Sequence, residues 1–149
     1  DPTYSMRMIQ GRYGAMPEVA RVVPFMAQLA GTGGDGGWGR ALAVNASFTN
    51  STSGTVVDDG AATTRGGAAF LHILQAAATD TYSIIVEGAT NVAFSTGVVT
   101  LGTFTLNGSA LGSERLAIVG NIPQFVRFRT TRTGTAGNTV RLSMTLVRF

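Results

Sequence analysis

The chain of 149 residues contains no cysteine, so neither a disulfide nor a thiolate metal site can form. It also lacks lysine: all 11 basic residues are arginine, whose planar fork suits protein interfaces better than a hydrated ammonium does. Charged residues are 13% of the composition, against roughly 25% in an average soluble domain. Gly, Thr, Ser and Ala take their place, and such a neutral surface offers little repulsion between copies. Histidine and tryptophan occur once each, as His72 and Trp38. No apolar run reaches the roughly 18 residues that a membrane-spanning helix needs, which argues against an integral membrane protein. The opening DPTYSMRMIQ shows no basic-then-apolar targeting pattern. Because it starts at Asp1, the sequence is expected to be a processed product or part of something longer.

What is present is a period of two. From Gly66 onward, GGAAFLHILQ places Phe70, His72 and Leu74 on one face and Leu71 and Ile73 on the other. DTYSIIVEG alternates Tyr82, Ile84 and Val86 against Ser83, Ile85 and Glu87. QFVRFRTT sets Val126 and Phe128 inward, with Arg127 and Arg129 outward. NTVRLSMTLVRF sets Val140, Leu142, Met144 and Leu146 against Thr139, Arg141, Ser143 and Thr145. With VVTLGTFTLN and SERLAIVG, these runs make about six strands, separated by the turn sequences GATN, NGSALGS, GNIP and TGTAGN. The expected fold is all-β: an antiparallel β-sandwich or barrel.

The first part of the chain gives a weaker pattern. In PEVARVVPFMAQLAG the apolar spacing could serve a helix, but Pro24 interrupts one. A strand from Val22 to Ala30 is the preferred reading. GTGGDGGWG reads as a flexible loop, and NASFTNSTSGTVVDDGAATTRGG as a polar strand followed by a linker. The expected division is residues 1–60, an N-terminal β segment with its Gly-rich loop and linker, and residues 61–149, the sandwich module.

Motifs that could carry chemistry are few. Gly31 to Gly36 spells G-x-G-x-x-G, but the sequence after it is too glycine-rich to open the helix that a dinucleotide site requires. His72 sits mid-strand among apolar residues and is expected to be a packed or edge imidazole, because no nucleophile motif pairs with it. The eight carboxylates show neither calcium-loop spacing nor a recognisable catalytic pair. No catalytic residue, cofactor or metal site is therefore assigned, and no enzymatic activity is expected. The N-x-[ST] triplets at Asn45, Asn50 and Asn107 arise readily in a chain so rich in Ser and Thr.

Five of the arginines lie between Asn121 and Phe149. Arg127 and Arg129 share a strand face, and Arg141 is on the polar face of the last strand; adjacent strands would merge the three into a basic stripe. Single-stranded nucleic-acid surfaces interleave such stripes with stacking aromatics, and only Phe125 alternates onto this face. The arginines are therefore expected to face solvent or a neighbouring subunit, with no specific nucleic-acid binding. Together with Trp38 they form the candidate interface set: Trp38, Arg127, Arg129 and Arg141.

Several stretches resemble the actinophage-type major tail proteins of long-tailed bacteriophages. They are the opening DPT, VVPFMAQLAG followed by GWGRAL, and GTVVDDGAATTRGGAAFLHI; then YSIIVEGATNVAFS, LGSERLAIVGNIPQFVRFR and VRLSMTLVRF. The resemblance implies a C-terminal immunoglobulin-like module and a tail-tube subunit that self-assembles into stacked rings, expected to be hexameric, that conduct DNA. Its partners would be copies of itself and other virion proteins, without a membrane. It would be assembled in the bacterial cytoplasm and carried in the virion tail. Similar modules occur in capsid decoration proteins, which leaves binding to the phage head as the alternative. A carbohydrate-binding module, using Trp38 and Tyr82 as exposed aromatics, is a more distant one.

Overall fold

The computed structural model describes residues 2–5, 8–15, 25–31 and 37–149, with side chains from Gly39 onward. Every regular element among them is a strand. In order these are β1 (Pro2–Ser5), β2 (Met8–Ala15), β3 (Phe25–Gly31), β4 (Gly37–Phe48), β5 (Thr52–Ser53) and β6 (Val57–Asp58). They continue with β7 (Gly67–Gln75), β8 (Thr81–Ala89), β9 (Val99–Thr103), β10 (Gly112–Ile118), β11 (Phe125–Thr133) and β12 (Val140–Arg148). None of the described residues forms a helix able to cross a membrane.

Two antiparallel sheets pack together. The first runs β1-β4-β12-β7-β10; the second runs β5-β11-β8-β9, with β6 also paired to β11. β2 and β3 pair with each other as a hairpin of their own. Alternation decides which side chains fill the space between the sheets. Val140, Leu142, Met144 and Leu146 of β12 face inward beside Leu71 and Ile73 of β7. From the other sheet come Ile84, Val86, Val126 and Phe128, all buried. Each such side chain contributes roughly 1.5–3 kcal/mol by leaving water. Phe48 closes one end, its ring 5.5 Å from that of Phe128. At Gly54 the chain passes so near Phe128 that an added Cβ would lie 2.1 Å from the ring, so only glycine fits.

The six strands expected after Gly66 are β7 to β12, and the in-out assignments of β8, β11 and β12 hold. The expected strand at Val22–Ala30 is observed as Phe25–Gly31, while Val22–Pro24 lies outside the described residues. Residues 32–36 of the Gly-rich segment are also outside them, and Gly37 already opens β4.

Strand pairing does not follow the division expected at residue 60. β4 is hydrogen-bonded to β12 from Val140↔Phe48 to Val147↔Gly39, inside the first sheet. The supposed linker is stitched to β11 through Arg129↔Ser53 and Phe125↔Asp58. Its polarity was misleading because the stitching uses backbone groups and ions. Asp59 lies between Arg40 and Arg148. Arg148 also donates through Nη1 to the carbonyls of Ala61 and Ile122, and through Nη2 to those of Pro123 and Gln124. Its Nε is 2.7 Å from Asp59 Oδ2, an ion pair at the inner end of the guanidinium.

Candidate assembly surfaces

The three candidate arginines do not form one stripe. Arg127 and Arg129 belong to β11 and Arg141 to β12, and these strands lie in different sheets. A sandwich puts the outer faces of its two sheets on opposite sides, so adjacency in sequence brought no adjacency in space. Trp38 lies in β4 opposite Tyr4 of β1; its side chain is outside the described residues.

On the outer face of the second sheet, Arg127 and Arg129 converge on one carboxylate. Glu87, directly across from Arg127 on β8, accepts from Arg127 Nε at 2.6 Å and from Arg129 Nε at 3.1 Å. The carboxylate is buried, and the loop after β8 reaches the Arg127 guanidinium beside it. In that loop Phe94 has φ of 51°, an unusual conformation for a bulky residue. It places the ring 4.0 Å from the Arg127 guanidinium, within cation–π range. This group fixes a loop to a sheet. It is an internal clamp, with only Arg129 substantially open to solvent.

Other carboxylates are similarly engaged. Asp80, 1% exposed, accepts from the backbone N–H groups of Ala136 and Asn138 and so holds the β11–β12 connection. Glu114 accepts from the N–H groups of Thr105 and Leu106. Burial alone would raise its pKa, but these donations outweigh that and hold it below the ordinary value. Asp58 accepts from Gln124 Nε2 and Gly60 N–H, which lower its pKa in that order. With Asp59 and Glu87, every carboxylate from residue 39 onward is engaged by groups of its own chain.

His72 is neither packed nor on an edge strand. It is exposed on the outer face of the first sheet, on β7 between β12 and β10. Its Nδ1 is 2.7 Å from Ser113 Oγ, a partner that sequence spacing could not reveal because the two lie 41 residues apart. No carboxylate among the described residues orients the ring, as a nucleophile–base pair would require. Tyr82, considered as an exposed aromatic, is fully buried and donates its hydroxyl to the Asn138 carbonyl at 2.8 Å. No group of metal-ligating side chains occurs among the described residues.

The open parts of the molecule are its sheet margins. On one side the second sheet is blunted by the two-residue strands β5 and β6. On the other, β9 and β10 are terminal strands lying together: a Cβ on Gly102 would be 2.5 Å from Leu116 Cδ2. β9 carries no charged residue. A bulge between its pairs Val86↔Gly102 and Glu87↔Thr100 leaves Leu101 over and lets it reach the core. The chain reverses between β9 and β10, so Val98, Val99 and Val119 come to the same end. They are 42%, 45% and 95% exposed, a local excess of apolar surface. Comparison with protein-family models, curated proteins and solved structures gave no significant match.

Proposed function

We propose that this chain is a structural subunit of a bacteriophage virion, a tail-tube protein with an immunoglobulin-like sandwich, that works by joining to copies of itself. The sequence resemblance suggests the role. The observation that carries it is the β9–β10 margin: two terminal strands side by side, one without charge, flanked by exposed valines. Monomeric proteins guard such margins with charge, proline or cover; here the charge, Glu114 and Arg115, is confined to β10, and β9 is interrupted by the Leu101 bulge. A strand edge offers main-chain hydrogen bonds that tolerate varied side chains, and repeating one head-to-tail contact closes a ring when the rotation permits.

Sedimentation velocity and negative-stain imaging of the concentrated protein test the reading. Rings or tubes are expected, with Val99→Lys/Val119→Lys giving single particles. A wild-type protein that stays monomeric at high concentration refutes tube formation. Monomers or trimers that bind expanded phage heads would move the assignment to capsid decoration. Replacing Arg127, Arg129 and Arg141 with Ala is expected to leave DNA affinity unchanged; a large, salt-sensitive loss would reverse that expectation.

A further inference from the structure

The outer face of the first sheet bears a second surface, which shares only β10 with the β9–β10 margin. Its rows follow from register. Thr145, Phe70 and Arg115 lie side by side across β12, β7 and β10, and Ser143, His72 and Ser113 form the next row. Leu111 directly precedes Gly112, which pairs with Ile73, and Arg141 pairs with Gln75 across a bulge, so Leu74, Leu111 and Arg141 lie toward the same end of the face. Leu74 and Leu111 are 44% and 66% exposed. Arg115 lies over the Phe70 ring at 6.0 Å from its centroid. Arg115, His72 and Arg141 thus descend a diagonal in steps of roughly 8 Å, given strand spacing and rise.

Among the described residues, the charge on this face is unbalanced. The five carboxylates from residue 39 onward are all engaged elsewhere, and none lies on it. Arg115 and Arg141 have no ion pair among the described residues, and Arg141 Nε is buried without a hydrogen-bond partner. The face therefore offers cationic donors and an arginine-covered aromatic ring, residue types enriched at protein interfaces, beside exposed leucines that a partner's apolar groups could cover.

We infer that this face docks an acidic surface of a different protein, its carboxylates meeting Arg115 and Arg141 while apolar groups cover Leu74 and Leu111. A second copy is a poor occupant, since the chain has net charge +3 and its described carboxylates are committed. Nucleic acid is also a poor occupant: the aromatic ring of Phe70 is already covered by Arg115, and phosphates gain nothing from two leucines.

The test is fluorescence anisotropy with a labelled peptide of glutamates and leucines as the acidic probe, and with labelled oligothymidine as competitor. The wild-type chain is expected to bind the peptide. Affinity should fall at least about tenfold in Arg115→Gln/Arg141→Gln, the scale of an interfacial arginine, and severalfold in Leu74→Ser/Leu111→Ser. Arg65→Gln, at an exposed arginine that precedes β7 rather than lying on a strand of this face, should bind unchanged. Circular dichroism verifies that each variant is folded; Arg115→Lys and Leu111→Ala serve if a double variant is not. The inference is overturned if the peptide does not bind, if Arg65→Gln loses as much, or if oligothymidine binds more tightly. It is also overturned if the arginine variants abolish self-association instead, which would make a second copy the occupant.

Discussion

Glu87 and Arg127 face each other across β8 and β11, with Arg127 Nε 2.6 Å from Glu87 Oε1. The carboxylate is buried, and its second oxygen takes Arg129. Removing it would leave Arg127 beneath Phe94 without a counter-charge. Glu87→Ala is therefore expected to cost about 3 kcal/mol, as for loss of one member of a buried pair. Arg129→Ala, at a side chain 44% exposed, should cost only about 0.5–1 kcal/mol. Urea unfolding of the two variants measures the contrast; equal losses would contradict the burial assigned to Glu87.

The Asp80 carboxylate does the work of a missing strand partner for the β11–β12 connection. Asp80→Ala leaves the Ala136 and Asn138 amides unsatisfied, at a cost of about 2–3 kcal/mol, and hydrogen exchange at those amides should accelerate. Gly134 has φ of 118°, and a Cβ there would be 2.2 Å from Asp80 Oδ1. Gly134→Ala should therefore destabilise by more than about 1 kcal/mol.

Glu114 makes stability depend on pH. Its folded pKa is held below the ordinary 4.5. The stabilisation is thus fully present above that value and disappears as pH falls through the lowered folded pKa. In Glu114→Gln, stability at neutral pH should drop and its decline in acid should become shallower. Thermal melts from pH 3 to pH 7 check this, and parallel curves for both proteins would count against it.

Arg148 spans four backbone carbonyls with two nitrogens. A lysine ammonium has three donors on a single point and cannot match that fork. Arg148→Lys is expected to cost about 2 kcal/mol, with loosening of residues 59–61 and 122–124. Proteolysis near Ala61 would report it; an unchanged cleavage rate would mean that charge alone suffices there.

Alternation by itself determined the β class, the strands β7 to β12 and the buried faces of β8, β11 and β12, because a strand's inward residues repeat every two positions whatever lies opposite. It likewise put Arg127 and Arg129 outward. What it could not determine was partnership. Two-residue periodicity does not name the neighbouring strand, so only the tertiary structure parted Arg141 from Arg127 and joined His72 to Ser113. The segment around Asp59 was obscure for a related reason. Its ties to the sandwich are carbonyls and ions contributed by Arg148 and β11, and a polar sequence held by distant groups has the same composition as a free linker.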